Sequence, residues 1–221
     1  MNIIPLDTID LRDPMHFFFL LDASASMGGG RIRALNEAMR EALAVIPGIC
    51  DEKDMLPVIH ALAIRDDAQW LCGATASEGV PVPGAAWEDL SASGTADVAR
   101  AISGMLEGLS IRHLGHRAPR PIIILVTAGA DRDPAATSGA ISQLIARQKS
   151  LRAAFGMGAC DPGALEAFAS SGDLCITVED PAELPGAMCS AIRRILTTYY
   201  PKPFSPTPPC STTTIDDHEW I

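Results

Sequence analysis

The residues in this chain most able to do chemistry are Asp22, Ser24 and Ser26, at alternate positions in the run Asp22-Ala23-Ser24-Ala25-Ser26. They follow an apolar, aromatic segment and precede three glycines, Gly28-Gly29-Gly30. Alternation on a tight turn gathers one carboxylate and two hydroxyls. These are hard oxygen ligands, and with a third hydroxyl and waters they complete the octahedron that Mg²⁺ demands; Mn²⁺ and Ca²⁺ take similar donors. Thr95, in Ser93-Gly94-Thr95 at a helix start, is placed to be that third hydroxyl. The competing reading of Ser24 and Ser26 is ordinary turn and cap chemistry.

Other chemistries lack a part. The three glycines before a helix could cradle a phosphate, yet G-x-x-x-x-G-K-[ST] is absent. Asp22 after a buried strand could be the nucleophile of a haloacid-dehalogenase-like phosphatase. That reaction needs a second carboxylate two residues on as general acid, and Ser24 stands there. There is no G-x-S-x-G elbow. His113 and His116 lie among Arg112, Arg117 and Arg120, which reads as a solvated basic loop with too few partners for zinc. His60, inside an apolar run, reads as a satisfied core histidine. Trp70 and Trp87 read as side chains closing the edge of the core, with interface anchors as the alternative.

The elements that must position these residues alternate. Strand-like runs fall at His16–Leu21, Val58–Ile64, Pro121–Thr127, Leu151–Met157 and Leu174–Val178, with Gln69–Cys72 as a short returning edge strand. Helical spacing of apolar residues marks Arg31–Ile46, ended by Pro47-Gly48, then Thr95–Leu109, capped by Thr95 or Ser93, and Thr137–Gln148. Asp161-Pro162 and Asp180-Pro181 open two more helices. Gly73–Ala86 reads as a loop and Arg112–Arg120 as a basic connection. Strands alternating with helices predict an α/β fold, a doubly wound, mostly parallel sheet with one short antiparallel edge strand and helices on both faces. Residues 14–200 form that domain, between a short N-terminal extension, 1–13, and a Pro/Thr-rich disordered tail, 201–221. In such a sheet ligands bind at the carboxyl ends of the strands, at the switch point. That is where Asp22, Thr95 and Thr127 fall.

The chain has 221 residues, 48% hydrophobic, with a formal net charge of −10. An acidic balance disfavours sequence-independent nucleic-acid binding and docking on anionic lipid. The apolar run around Phe17–Leu21 is too short to span a bilayer, and the acidic residues before it are wrong for a signal peptide. The chain therefore reads as cytoplasmic. The six cysteines form no C-x-x-C pair and read as buried thiols.

Taken together, D-x-S-x-S at a strand end, Thr95 after a glycine, and Thr127-Ala128-Gly129 at a later strand end resemble the von Willebrand factor A family. The resemblance spans about residues 14–198. Within that family the segments LLDASASMGGGRIRALNEAM (20–39) and FGMGACDPGALEAFASSGDLCITVEDPAEL (155–184) are most similar to bacterial TerY-like proteins. The resemblance implies a metal-ion-dependent adhesion site held by Asp22, Ser24, Ser26 and Thr95. It also implies a protein-binding role without catalysis, in a tellurium-resistance or stress-response setting. The implied partner is a protein kinase or a PP2C-type phosphatase that presents an acidic residue to the metal. One position departs from the pattern. The family's third-motif aspartate is Ala128 here, which leaves Asp22 as the only anion among the matched positions. Asp97 and Asp131 are the nearby carboxylates able to compensate. Two alternatives stay open: a metal-free scaffold with a degenerate site, and a phosphatase-like enzyme using Asp22.

Overall fold

The apolar runs of this chain lack the alternation of a half-solvated sheet, so each strand must be covered on both faces. The structure, a computed structural model, describes residues 12–72, 80–81, 87–109, 114, 118–129 and 131–201. Strands β1 (Asp13–Asp22), β2 (Met55–Ile64), β3 (Ala68–Cys72), β5 (Ile122–Thr127), β6 (Leu151–Met157) and β7 (Cys175–Val178) lie in the order β3-β2-β1-β5-β6-β7. All neighbours are parallel except β2 and β3. A two-residue strand, β4 (Val80–Pro81), pairs antiparallel with β2 inside the stretch expected to be loop. The rest of Gly73–Ala86, most of Arg112–Arg120 with His113 and His116, and nearly all of both tails lie outside the described residues.

Side chains of successive β1 residues go to opposite layers. Phe17, Phe19 and Leu21 join the core under helices α1 (Gly30–Asp51) and α5 (Leu184–Tyr199). Phe18 and Leu20 join the core under α2 (Val98–Gly108), α3 (Pro134–Arg147) and α4 (Pro162–Phe168). Trp70 packs at the edge of the second layer and Trp87 at the edge of the first. The five described cysteines are free thiols, with Cys50 buried and the others half-buried. Among the described residues no helix is long and apolar enough to cross a membrane.

Three helix boundaries differ from the sequence expectation, each for a local reason. Helix α1 runs through Pro47 to Asp51. Proline removes one hydrogen bond and crowds the preceding turn, but Ile49 and Cys50 bury against the core and hold the last turn. Helix α2 starts at Val98, capped by Asp97, whose carboxylate accepts from Arg100 N–H at 3.0 Å. Neither Thr95 nor Ser93 caps it. Helix α3 starts at Pro134, with the Asp133 carboxylate accepting from Ala136 N–H at 3.0 Å. Asp133-Pro134 is the same start signal as Asp161-Pro162.

On the α2 side of the sheet, β1 and β2 bring two buried histidines together. His16 Nδ1 and His60 Nε2 are 3.0 Å apart, and the His60 ring stacks on Phe18 at 4.2 Å. Burial first, and the neighbouring His60 second, hold the His16 pKa down at about 4. The unfolded chain binds this proton near pH 6.5 and the folded chain does not. The contribution is therefore complete above about pH 6.5 and is lost as the pH falls toward 4, by up to about 3 kcal/mol. Urea unfolding of the wild type and of His16→Phe at pH 7 and pH 4.5 measures it. The wild type should lose more stability than the variant over that interval, and equal losses would refute the assignment.

Candidate functional site

Strands β1 and β5 are neighbours, but the chain leaves β1 toward β2 and leaves β5 toward β6, on opposite sides. The carboxyl ends of β1 and β5 therefore flank the switch point, where an open sheet leaves a crevice. Asp22 ends β1 and Thr127 ends β5. The fully buried Asp22 carboxylate joins them: Oδ2 accepts from Thr127 Oγ1 at 2.9 Å and from Ala128 N–H at 3.1 Å. Oδ1 accepts from Ser24 N–H at 2.8 Å and so folds the next loop back over the strand end. A carboxylate has about four acceptor positions. Three are filled by the protein and one is left for a water or hydroxyl.

The loop after β1 closes as a single 3₁₀ turn, Ala25–Met27, anchored by the buried Met27. Ser24 precedes that turn but does not cap it. Its buried hydroxyl instead meets the hydroxyl of the exposed Ser26 at 2.7 Å. The two hydroxyl oxygens thus lie side by side, hydrogen-bonded to each other. Octahedral Mg–O bonds of about 2.1 Å put adjacent ligands about 3 Å apart. The hydroxyl pair already has close to that separation.

Two other loops are fastened to this one. Ser93 N–H donates to Ala23 C=O and Ala25 N–H to Gly94 C=O, both at 2.9 Å, which lays the Thr95 segment beside the serines. Gly94 adopts φ +72° with the Asp66 carboxyl pressed against it, and a Cβ there would lie 3.0 Å from Asp66 Cγ. From the other side Gly129 lies against Ser26, and a Cβ at 129 would come 2.7 Å from Ser26 Cβ. Farther back, Asn36 on α1 grips the same connection. Its Nδ2 donates to Leu90 C=O at 3.0 Å, while its Oδ1 accepts from Leu90 N–H at 2.9 Å and Trp87 Nε1 at 3.2 Å.

The remaining carboxylates are engaged elsewhere. Asp97 caps α2. Asp131 accepts from Val98 N–H at 3.0 Å and Arg132 N–H at 2.9 Å through one oxygen, and from the Thr137 hydroxyl through the other. Sequence reasoning missed two groups at this end of the sheet. Asp66, after β2, accepts from Thr95 N–H at 3.2 Å and pairs with Arg132 at 2.5 Å. Arg31, at the start of α1, donates to Ser26 C=O at 2.9 Å. Asp66-Asp67 carries only a turn signal, and an arginine in a first helical turn carries none. Among the described residues no three or more His, Cys, Asp or Glu gather as a metal cluster. The hydroxyl set around Asp22 is the arrangement suited to a hard cation.

Solved structures share this architecture. A von Willebrand factor type A protein from Catenulispora acidiphila superposes with a TM-score of 0.61 at 18% identity, over 82% of this chain and 42% of that one. Proximal thread matrix protein 1 of the mussel byssus, with its MIDAS motif occupied by zinc, gives 0.62 at 15%, over 82% and 46%. Manganese-loaded TRAP protein of Plasmodium vivax gives 0.57 at 15%, over 81% and 74%. The chain thus has the von Willebrand factor A fold and spans less than half the length of the first two proteins. No family model matches the chain, and no curated protein matches it.

Asp22→Asn tests the joint at the strand ends. Whichever way the amide turns, an NH₂ faces an N–H or O–H donor. One buried donor left without an acceptor costs about 1–3 kcal/mol. Denaturant unfolding in EDTA should show a loss of that size, and an unchanged midpoint would remove Asp22 from this role.

Proposed function

We propose that this chain is a protein-binding module that works through a divalent cation, and that it performs no catalysis. The observation that carries this reading is the Ser24–Ser26 hydroxyl pair, 2.7 Å apart beside the buried Asp22. Ser24, Ser26 and Thr95 hold the cation directly. Asp22 acts through a water on its one free acceptor position and orients the serine loop. An open coordination position takes a carboxylate from the partner. Mg²⁺ is the first candidate, with Mn²⁺ next, because small hard cations suit hydroxyl and water ligands.

The acidic balance of the chain supports the same reading. A chain of net charge −10 repels an acid unless something inverts the local field, and a bound divalent cation does so. Ala128 lowers the ligand charge, so the affinity is weak. Asp97 and Asp131 leave that deficit in place because their oxygens serve the helix starts. The burial of Asp22 behind three donors favours a structural and metal-orienting role over that of a phosphatase nucleophile. The TerY-like segments 20–39 and 155–184 add the partner class, a protein kinase or PP2C-type phosphatase in a stress-response system. Ala128 itself favours a second reading, a scaffold that binds its partner without metal.

Calorimetric titration with Mg²⁺ and Mn²⁺ separates the two. Binding in the millimolar range or tighter is expected, reduced at least tenfold in Ser24→Ala and in Thr95→Ala. Ala128→Asp should melt lower than the wild type in EDTA, because it buries a second carboxylate near Asp22. It should gain more from added Mg²⁺, since a cation that binds the folded state alone stabilises it by mass action. No heat from either metal, and no metal response in Ala128→Asp, would leave the scaffold reading.

A further inference from the structure

The second core layer has a cavity beside the serine loop. It holds about 210 Å³ and lies between the carboxyl ends of β5 and β6 and helices α2, α3 and α4. Its walls include Leu125, Ile141, Ala164 and Leu165, and Thr127 and Gly129 also line it. Both of those residues belong to the site already described, since Thr127 donates to Asp22 and Gly129 lies against Ser26. The cavity opens to solvent on one side and is mainly apolar within, so a side chain or a small apolar molecule can enter it.

The charges around the cavity divide two kinds of guest. Asp131 and Asp161 stand in its lining, with Asp161 Oδ1 accepting from Gly163 N–H at 2.9 Å. Their negative charge turns an acidic group away. Arg31 instead stands by the serine loop on Ser26 C=O, while Arg132 beside the Thr95 loop is paired with Asp66 and Asp97. An incoming segment that carries an acid and an apolar side chain is therefore sorted, with the acid toward the hydroxyl pair and the apolar group toward the cavity. We infer that this cavity receives a Leu, Ile, Met or Phe side chain from the same partner segment whose carboxylate reaches the Asp22 site. The inference rests on the proposed function and adds the partner's second determinant. Burying such a side chain contributes about tenfold to a hundredfold in affinity.

Two probes test it on the full chain. Benzene at millimolar concentration should shift the methyl NMR signals of Leu125, Ile141 and Leu165 in the wild type and leave them in place in Ala164→Phe. Ala164→Leu fills the cavity more gently and serves if the phenylalanine variant does not fold. Peptides selected from a random phage-displayed library in Mg²⁺ should carry an acidic residue with an apolar one within two or three positions. They should bind the filled variants at least tenfold more weakly, with Mg²⁺ affinity unchanged. No benzene shift in the wild type, or selected peptides indifferent to Ala164→Leu, would overturn the cavity assignment. Peptides that lose affinity in Ala164→Leu but ignore EDTA and Ser24→Ala would uphold the cavity and overturn the metal reading.

Discussion

One buried carboxylate ties together the end of the sheet where the chain could act. In a doubly wound sheet the strands on either side of the switch point have loops that depart in opposite directions, so nothing in the chain path holds their ends together. Asp22 supplies that link, reaching Thr127 and Ala128 across the gap and Ser24 on its own loop. A charge this deeply buried is tolerated only when its acceptor positions are filled. The demand for donors is thus what fixes the serine loop over the strand ends. Once that loop is fixed, the Thr95 segment hydrogen-bonds along one side of it and Gly129 closes against the other.

The sheet was legible in the sequence because its four central strands, β2, β1, β5 and β6, are buried on both faces. Runs such as Ile122–Thr127 cannot alternate, and their continuity announces a covered parallel strand. Strand β6 matches its expected bounds at both ends. Boundaries that depend on tertiary packing were less legible. A proline is a sound local signal for the end of a helix, yet Pro47 sits within α1 because the residues beyond it bury. Asp97 looks like a spare ligand in the linear chain and proves to be a helix cap, since its role depends on where α2 begins. The pairing of His16 with His60 depends on the β1–β2 register, in which Phe18 faces His60. No spacing in the sequence reports that. Of the site, alternation marked Ser24 and Ser26 as neighbours on one turn, and their hydroxyls do meet at 2.7 Å. Asp66, Arg31 and Asn36 could not, because each acts on a loop distant in sequence.

Charge is distributed unevenly around this site. The two arginines nearest the loops are both held by the protein, one by a backbone carbonyl and one by Asp66. They soften the acidity of the chain at the mouth of the site without adding a ligand there. The carboxylates nearby are spent on the starts of α2 and α4. The Ser24 and Ser26 hydroxyls are left as the paired oxygens beside the strand ends. Neutral oxygens bind a cation more weakly than carboxylates but leave it more of its charge to offer an incoming acid.

Positions 128 and 129 show how fold and charge separate at adjacent residues. The backbone N–H of Ala128 does the structural work by donating to Asp22, and any residue except proline supplies it. The side chain at 128 is therefore free to set the charge of the site while the strand ends stay joined. Gly129 has no such freedom, because a single added carbon would collide with Ser26 and push apart the hydroxyl pair. An alanine in place of an aspartate at 128 thus removes a carboxylate from this end of the sheet without dismantling it. A side chain at 129 would displace the Ser26 hydroxyl itself. The chain keeps the residue that shapes the site and lacks the one that would have strengthened it.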